Sequence, residues 1–220
     1  MDERALADRV SAVTALGDPA RRAVYDLVCR RDEPISRDQA ASTLGVTRRS
    51  AAFHLDRLAE QGLLAVEFRR LTGRTGPGSG RPAKLYRRAR DEISVSVPDR
   101  RYDLAGEVMA AAIERSISAG EPVGDALVGV AADTGRAIGA GATDLRQALE
   151  THGFEPRDDG RGGLLLGNCP FHRLAVRHTH IVCGLNLELI RGITAGLDDT
   201  DHAAVLDPGP GRCCVKVHPA

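Results

Sequence analysis

A chain of 220 residues with 42% apolar residues has enough material for one large domain or two small ones. No segment approaches the roughly 20 apolar residues of a membrane span, and the charged start MDERALADRV lacks a signal-peptide core, so we expect a cytoplasmic protein without a membrane partner. The net charge of zero divides into +7 over residues 1–90 and −7 over residues 91–220, which predicts that the first part binds a polyanion.

Two short helices joined by a glycine turn are predicted within ISRDQAASTLGVTRRSAAFHLDRLAEQGLL. Ser36 is suited to cap a helix that ends at Leu44, and Gly45 permits the tight turn that follows. Thr47 is suited to cap a second helix that runs to about Gln61. This arrangement is typical of a helix-turn-helix motif.

The second of these helices has an apolar face and a polar face. Ala51, Leu55 and Leu58 recur at spacings of four and three, so we expect them to face the core. A polar face at this position suits the major groove of double-stranded DNA, where arginine reads guanine through two hydrogen bonds. The predicted DNA contacts from this region are Ser36, Thr47, Arg48, Arg49, Ser50, His54 and Arg57.

A basic β-hairpin is predicted after the second helix. LLAVEFRRL and AKLYRRA each indicate a strand, and TGRTGPGSGRP between them indicates a long loop. Residues 66–90 hold eight basic residues and one acidic residue, as expected for a DNA-binding wing. Arg74 and Arg81 on its tip are suited to phosphate or a narrow minor groove, and Lys84 joins the predicted contacts. The predicted winged helix-turn-helix domain covers residues 1–92.

The stretches TRRSAAFHLDRLAEQGLL and GSGRPAKLYR resemble the winged-helix domain of ArsR-type bacterial regulators. They are most similar to the SufR-like branch, the repressors of iron–sulfur assembly operons, which share an HL..L...GL recognition helix and a GRPAK.Y wing. The resemblance covers about residues 10–90. It implies a DNA-binding transcriptional regulator, which we expect to act as a homodimer on a pseudo-palindromic operator.

The acidic remainder predicts a mixed helical domain with a small antiparallel sheet, so the chain as a whole is assigned to the α+β class. A helix within residues 98–120 comes first, and its position after the wing fits a dimerisation helix. Three further helices are indicated at residues 122–140, in TDLRQALETHGF and at residues 178–196. Short strands are indicated near residues 154–157 and 163–166 and in AAVLDP and RCCVKV. We expect residues 121–220 to form a sensor domain rather than an enzyme, since no nucleotide-binding loop or nucleophile elbow is present.

Four of the five cysteines fall in this second part, with the spacing C-x13-C-x29-C-C, which is not the paired C-x2-C of a zinc ribbon. Cys169 precedes Pro170 at a predicted helix start, where amide dipoles favour a thiolate. In the last predicted strand, Cys213 shares a face with apolar residues and Cys214 shares one with polar residues. Cys213 is therefore the expected inward thiol. Cys29, which lies alone in the first part, is interpreted as a core residue.

The stretch CPFHRLAVRHTHIVC, with a cysteine near the end of the chain, is similar to the sensor domain of SufR-like regulators. In those proteins, cysteines at comparable positions hold an iron–sulfur cluster. The resemblance implies that Cys169, Cys183 and Cys213 hold such a cluster, of the [4Fe–4S] type. The fourth ligand stays open among three histidines, which are His172, His178 and His180.

The leading hypothesis is thus a regulator that senses redox state or iron and cluster supply. Two alternatives stay open at this point. The same cysteines with one histidine would form a structural Zn²⁺ site. The second domain would otherwise be a small-molecule binder or an enzyme, with Cys169 and His172 as nucleophile and base.

Overall fold

The computed structural model describes residues 3–70 and 82–220. It divides the chain into two compact units that meet in sequence between Val95 and Ser96. Each unit has its own cluster of buried apolar side chains. The two units are described separately below.

In its described part the first unit combines helices with a three-stranded antiparallel sheet. The helices are α1 (Glu3–Ala15), α2 (Pro19–Cys29), α3 (Arg37–Leu44) and α4 (Arg48–Glu60). The strands are β1 (Ile35–Ser36), β2 (Leu64–Arg69) and β3 (Ala83–Arg88), in the order β1-β3-β2. The helix-turn-helix is thus followed by an antiparallel β2–β3 pair.

Local capping interactions set the helix starts and the turn. The Ser36 hydroxyl accepts from the Gln39 amide at 3.2 Å, and the Gln39 side chain accepts from the Ser36 amide at 2.8 Å. Gly45 adopts φ 65° at the end of α3, in the left-handed region that favours glycine. Thr47 caps α4 by accepting from the Ser50 amide at 3.2 Å. These are the caps that the sequence predicts.

The first core confirms the predicted apolar face of α4, since Ala51, Leu55 and Leu58 are each fully buried. Strand β1 was not predicted. It has two residues, and it pairs Ile35 with Tyr86 of β3. An element of two residues is too short to produce a strand-like alternation, so the sequence carries no periodic signal for it.

The second unit packs its helices against a four-stranded antiparallel sheet of order β4-β5-β7-β6. The helices are α5 (Tyr102–Ala119), α6 (Val123–Ala140), α7 (Leu145–Thr151), α8 (His172–Arg177) and α9 (Thr179–Gly196). The strands are β4 (Pro156–Asp158), β5 (Leu164–Leu166), β6 (His202–Leu206) and β7 (Val215–Pro219). The predicted small antiparallel sheet is confirmed, although β7 begins at Val215, beyond both cysteines of the doublet.

Helices α6 and α9 approach each other through glycines. A methyl group on Gly135 would lie 2.1 Å from the Leu189 carbonyl oxygen, and one on Gly192 would lie 2.3 Å from that of Ala132. Gly139 and Gly196 make equivalent approaches one turn further along. The close contact places α9 in the middle of the second core, and α9 carries Cys183.

Helix α5 packs on α6 and contributes Leu104, Ala105 and Val108 to the second core. On its other side, Ile113 is 51% exposed and Ile117 is 79% exposed. One helix therefore presents a buried apolar stripe and an exposed apolar stripe, and the second of these is free to contact another protein surface.

Candidate functional site

The exposed face of α4 is the first candidate site. Arg49, Phe53 and Arg57 follow one another at intervals of one helical turn and are all exposed. Arg57 pairs with Glu60 at 3.3 Å, whereas Arg49 has no ion-pair partner among the described residues. The stripe therefore offers two guanidinium groups separated by an aromatic ring.

Phe53 is a surface residue that the sequence reasoning missed. It is 61% exposed, and its ring meets the His54 ring edge-on at a centroid distance of 5.3 Å. An exposed phenylalanine on such a helix suits apolar contact with a thymine methyl group. The available signal was its position four residues after Arg49 and outside the apolar stripe.

Several predicted contacts already have partners within the first unit. Ser36 and Thr47 use their hydroxyl groups for helix capping. The Arg48 Nε donates to Asp38 at 2.6 Å, in a pair whose side chains are both about two-thirds exposed. Ser50 is half-buried. Arg48 and Thr47 remain at the exposed leading edge of α4, where they are available to a ligand.

His54 lies beside the exposed stripe, with its ring against that of Phe53. It is half-buried, and its Nδ1 is a buried atom that has no hydrogen-bond partner among the described residues. Its half-buried ring is therefore less available to a ligand than the exposed side chains of Arg49, Phe53 and Arg57.

Lys84 belongs to a polar network that ties α4 to α3 and β3. Its Nζ donates to Asp56 at 2.6 Å, and so does the Tyr86 hydroxyl. Arg37 donates to the other oxygen of Asp56 at 2.6 Å and to the Tyr86 hydroxyl at 2.9 Å. Burial acts to raise the pKa of Asp56, but the three hydrogen bonds outweigh it and lower that pKa to about 2. The network orients the helix that carries the exposed stripe.

Arg74 and Arg81, which were predicted at the tip of the hairpin, lie outside the described residues. Within the described strands, Arg69 pairs with Glu33 at 3.2 Å and Glu67 at 2.8 Å. The basic character of the hairpin is thus partly neutralised at the end of β2 that leads into the connecting segment.

Four cysteines form the second candidate site. Cys169 lies in the loop before α8, Cys183 lies on α9, and the Cys213–Cys214 doublet lies in irregular chain before β7. The first three are at most 8% exposed, and Cys214 is half-buried. Cys29, which was interpreted as a core residue, belongs to the first unit and is half-buried.

The thiols of this second site interact with one another. Hydrogen bonding with Cys213 raises the pKa of Cys169, and burial raises it further. The same bond lowers the pKa of Cys213, but bonding with Cys214 and burial outweigh it and raise that pKa to about 11. Burial raises the pKa of Cys183, against a hydrogen bond with Cys214. We refer to these four residues as the thiol cluster.

The helix-start interpretation of Cys169 is corrected by this geometry. Helix α8 begins at His172, with Phe171 in the capping position, and the Cys169 carbonyl accepts from the His172 amide at 3.1 Å. The pKa of the Cys169 thiol is raised rather than lowered, because contact with Cys213 and burial outweigh any helix dipole. A soft cation that binds these thiols would therefore displace protons.

Cys214 also departs from its predicted place. Because β7 begins at Val215, the alternation of faces in a strand does not apply to the doublet. Cys213 is 1% exposed, as expected for the inward thiol, while Cys214 is half-buried.

The three candidate histidines are all exposed, at positions 172, 178 and 180. Across the described parts of the chain, no group of three or more His, Cys, Asp or Glu side chains is arranged to hold a metal ion. The exposure of His172 and the raised pKa of buried Cys169 also do not suit a nucleophile–base pair, which needs an activated thiolate.

The loop that carries Cys169 is bonded to the start of α5. Arg100 donates to the Cys169 carbonyl at 3.0 Å and to the buried side chain of Asn168. The Arg101 amide donates to the Pro170 carbonyl at 3.1 Å. A displacement of the cysteine loop therefore acts directly on the residues that connect α5 to the preceding chain.

Comparison with known proteins yields one match. Residues 16–67, which include α3 and α4, match the model of a helix-turn-helix domain. No curated protein and no solved structure matches the chain significantly. None of the helices in the described part of the chain has both the length and the hydropathy that a membrane span requires. The match indicates a DNA-binding transcriptional regulator and suggests a regulator rather than an enzyme.

Proposed function

We propose that this helix-turn-helix protein is a homodimeric winged-helix regulator of the ArsR type. It binds a pseudo-palindromic site on double-stranded DNA, and it senses redox state or iron–sulfur supply through its thiol cluster. The observation that carries the proposal is the exposed basic helix within a matched helix-turn-helix domain, in a chain whose second unit buries three cysteines.

The DNA-binding part rests on the exposed stripe of α4. Arg49 is suited to reach guanine in the major groove, and Phe53 offers an apolar contact beside it. The antiparallel β2–β3 hairpin follows α4 directly, which is the order of elements in a winged helix. Arg74 and Arg81 on its connecting segment would supply phosphate contacts, whose affinity falls steeply with salt.

The sensing part rests on the chemistry of the donors. Thiolates are the preferred ligands of iron–sulfur clusters, and the three cysteines at the positions that the resemblance implies are all buried in the second unit. Cys169, Cys183 and Cys213 would hold the cluster, and Cys214, which follows Cys213 in the chain, would be a candidate for the fourth ligand. A bound iron–sulfur cluster supplies a redox-active and oxygen-labile cross-link.

Transmission to DNA would use the chain's own bonds. Arg100 and Arg101 tie the Cys169 loop to the start of α5, and the exposed Ile113 and Ile117 of α5 are suited to contact a second copy. Binding of a metal group by the thiols would bias the position of this loop and, through Arg100 and Arg101, that of α5. The resulting population shift would change the spacing of the two α4 helices on DNA.

The proposal is tested on protein purified without oxygen. We expect brown protein that contains iron and sulfide, bleaches in air and changes its affinity for a selected operator as it bleaches. Single replacement of Cys169, Cys183 or Cys213 by Ser should remove the colour, and Cys214→Ser should weaken it, whereas the control Cys29→Ser should keep it. Colourless protein with one tightly bound zinc per chain would instead establish the structural zinc alternative.

A further inference from the structure

A cleft of about 260 Å³ lies on the second unit between the start of α5 and helix α8. Its lining residues are Tyr102, Arg173, Leu174, Arg177 and His178. The Tyr102 hydroxyl accepts from the Arg173 amide at 3.3 Å, which ties the first turn of α8 to the first residue of α5. The cleft therefore combines three basic residues with an aromatic ring and a leucine.

The two arginines of this cleft have no counter-charge. Arg173 and Arg177 are exposed, and neither guanidinium group has an ion-pair partner among the described residues. By contrast, most arginines of the second unit pair with a carboxylate. Residues 160–187 contain no Asp or Glu, although residues 91–220 carry a net charge of −7. The cleft is thus a basic surface within an acidic unit.

The spacing of the two arginines makes the missing counter-charge unfavourable. Arg173 and Arg177 are four residues apart on α8, so their side chains are neighbours on one helix face, where like charges repel. The Tyr102 hydroxyl also has a proton for which the described residues provide no acceptor. Guanidinium groups suit carboxylate and phosphate oxygens, since they present N–H donors in a planar fork. An anion of this kind in the cleft would balance both arginines and accept from Tyr102.

We propose that this cleft binds a small organic oxyanion, a molecule with a carboxylate or phosphate group on an apolar body. Arg173 and Arg177 hold the charged group, and the Tyr102 hydroxyl is a further donor. Leu174 and the Tyr102 ring contact the apolar body, and the volume of the cleft limits the ligand to a small molecule. The site uses neither the thiol cluster nor the face of α4, so the inference goes beyond the proposed function and does not depend on it.

The test measures binding to the full chain by isothermal titration calorimetry with four probes. Benzoate and phenyl phosphate carry both a ring and an oxyanion, benzyl alcohol carries the ring alone, and inorganic phosphate carries the charge alone. Arg173→Gln and Arg177→Gln each remove one guanidinium group, and Tyr102→Phe removes the hydroxyl. Arg161→Gln is the matched control, since Arg161 is an exposed arginine of the second unit that does not line the cleft. Thermal unfolding of each variant establishes that it folds.

We expect wild type to bind benzoate or phenyl phosphate saturably and more tightly than the other two probes, and the tighter of the two identifies the preferred oxyanion. Arg173→Gln and Arg177→Gln should each weaken that binding roughly 10-fold, because each removes a charge-assisted hydrogen bond. Tyr102→Phe should weaken it less, and Arg161→Gln should bind as wild type does. The inference is overturned if neither ring anion binds, if Arg161→Gln loses as much affinity as the cleft variants, or if inorganic phosphate binds as tightly as phenyl phosphate.

Discussion

Helices α4 and α9 use their polar side chains in opposite ways. Helix α4 buries Ala51, Leu55 and Leu58 and turns its arginines outward, so its candidate function is on a surface. Helix α9 buries Cys183 and Asn186 within the second core, so its candidate function is inside. Surface residues of the first unit can therefore be changed with little effect on folding. The residues of the thiol cluster belong to the core, so changing them is expected to affect folding as well.

The largest effect is expected from a substitution at the glycine contact between α6 and α9, in the core of the second unit. Gly135→Ala places a methyl group 2.1 Å from a backbone oxygen, so the helices must separate. We expect the second unit to lose about 3 kcal/mol or more of its free energy of unfolding. Hydrogen exchange should show lost protection in α6 and α9 and retained protection in α3 and α4.

Gly124→Ala is the matched control on α6. A methyl group there meets nothing within 4 Å, and alanine favours helix, so no destabilisation is expected. Equal stability of the Gly135 and Gly124 variants would show that α6 and α9 can accommodate a methyl group at their contact without loss of stability.

Asp56→Ala tests whether the first unit also depends on buried polar contacts. It leaves the fully buried Tyr86 and the two cations Lys84 and Arg37 without their carboxylate. We expect a loss of about 2–3 kcal/mol in denaturant unfolding of the first unit. Asp38→Ala breaks an exposed pair and should cost less than about 1 kcal/mol. Similar losses in both variants would contradict the network as a stabilising element.

The same carboxylate gives a pH dependence with a definite sign. Because the folded-state pKa of Asp56 is about 2, below its ordinary value of 3.8, Asp56 stabilises the fold above pH 3.8. That contribution is lost as the pH falls from about 4 to 2. Asp56→Asn should therefore reduce the loss of unfolding free energy that wild type shows as the pH falls from about 4 to 2. An unchanged loss would show that other groups cause it.

Arg49→Ala tests whether the exposed face of α4 contacts DNA bases. If its guanidinium reads a base, competition between the selected operator and single-base variants should lose about 1–3 kcal/mol of discrimination at one position. Stability should change by less than about 0.5 kcal/mol, because Arg49 is exposed. Arg136→Ala in α6 removes the same charge from the second unit and should leave both quantities unchanged. Unaltered operator preference in Arg49→Ala would remove this residue from the interface.

The smallest expected effect is the acid response of the second unit through His152. Burial lowers the pKa of His152, against a hydrogen bond with the Ala148 carbonyl, so the unfolded chain binds a proton more readily than the folded one. The second unit should keep its full free energy of unfolding above about pH 6.5, and it should lose part of it as the pH drops below that value. His152→Gln should flatten that decline in unfolding midpoints between pH 7 and pH 5, and a decline of unchanged slope would exclude His152 as its source.

Local features of the sequence determined most of the first unit. Caps, the glycine turn and the apolar spacing of α4 depend on residues within a few positions of one another, so the roles of Ser36, Gly45 and Thr47 follow from the sequence alone. Strand β1 could not be predicted in this way, because two residues are too few to show a periodic pattern.

Long-range packing decided the rest. Lys84 was expected to face DNA, but its partner Asp56 lies 28 residues away in sequence and meets it across the fold. Cys214 was expected to face solvent from a strand, but β7 begins only at Val215 and Cys214 is half-buried. Residue identity and spacing define which groups are available, whereas their convergence depends on where the sheet and α9 place the backbone, and that is a property of tertiary packing alone.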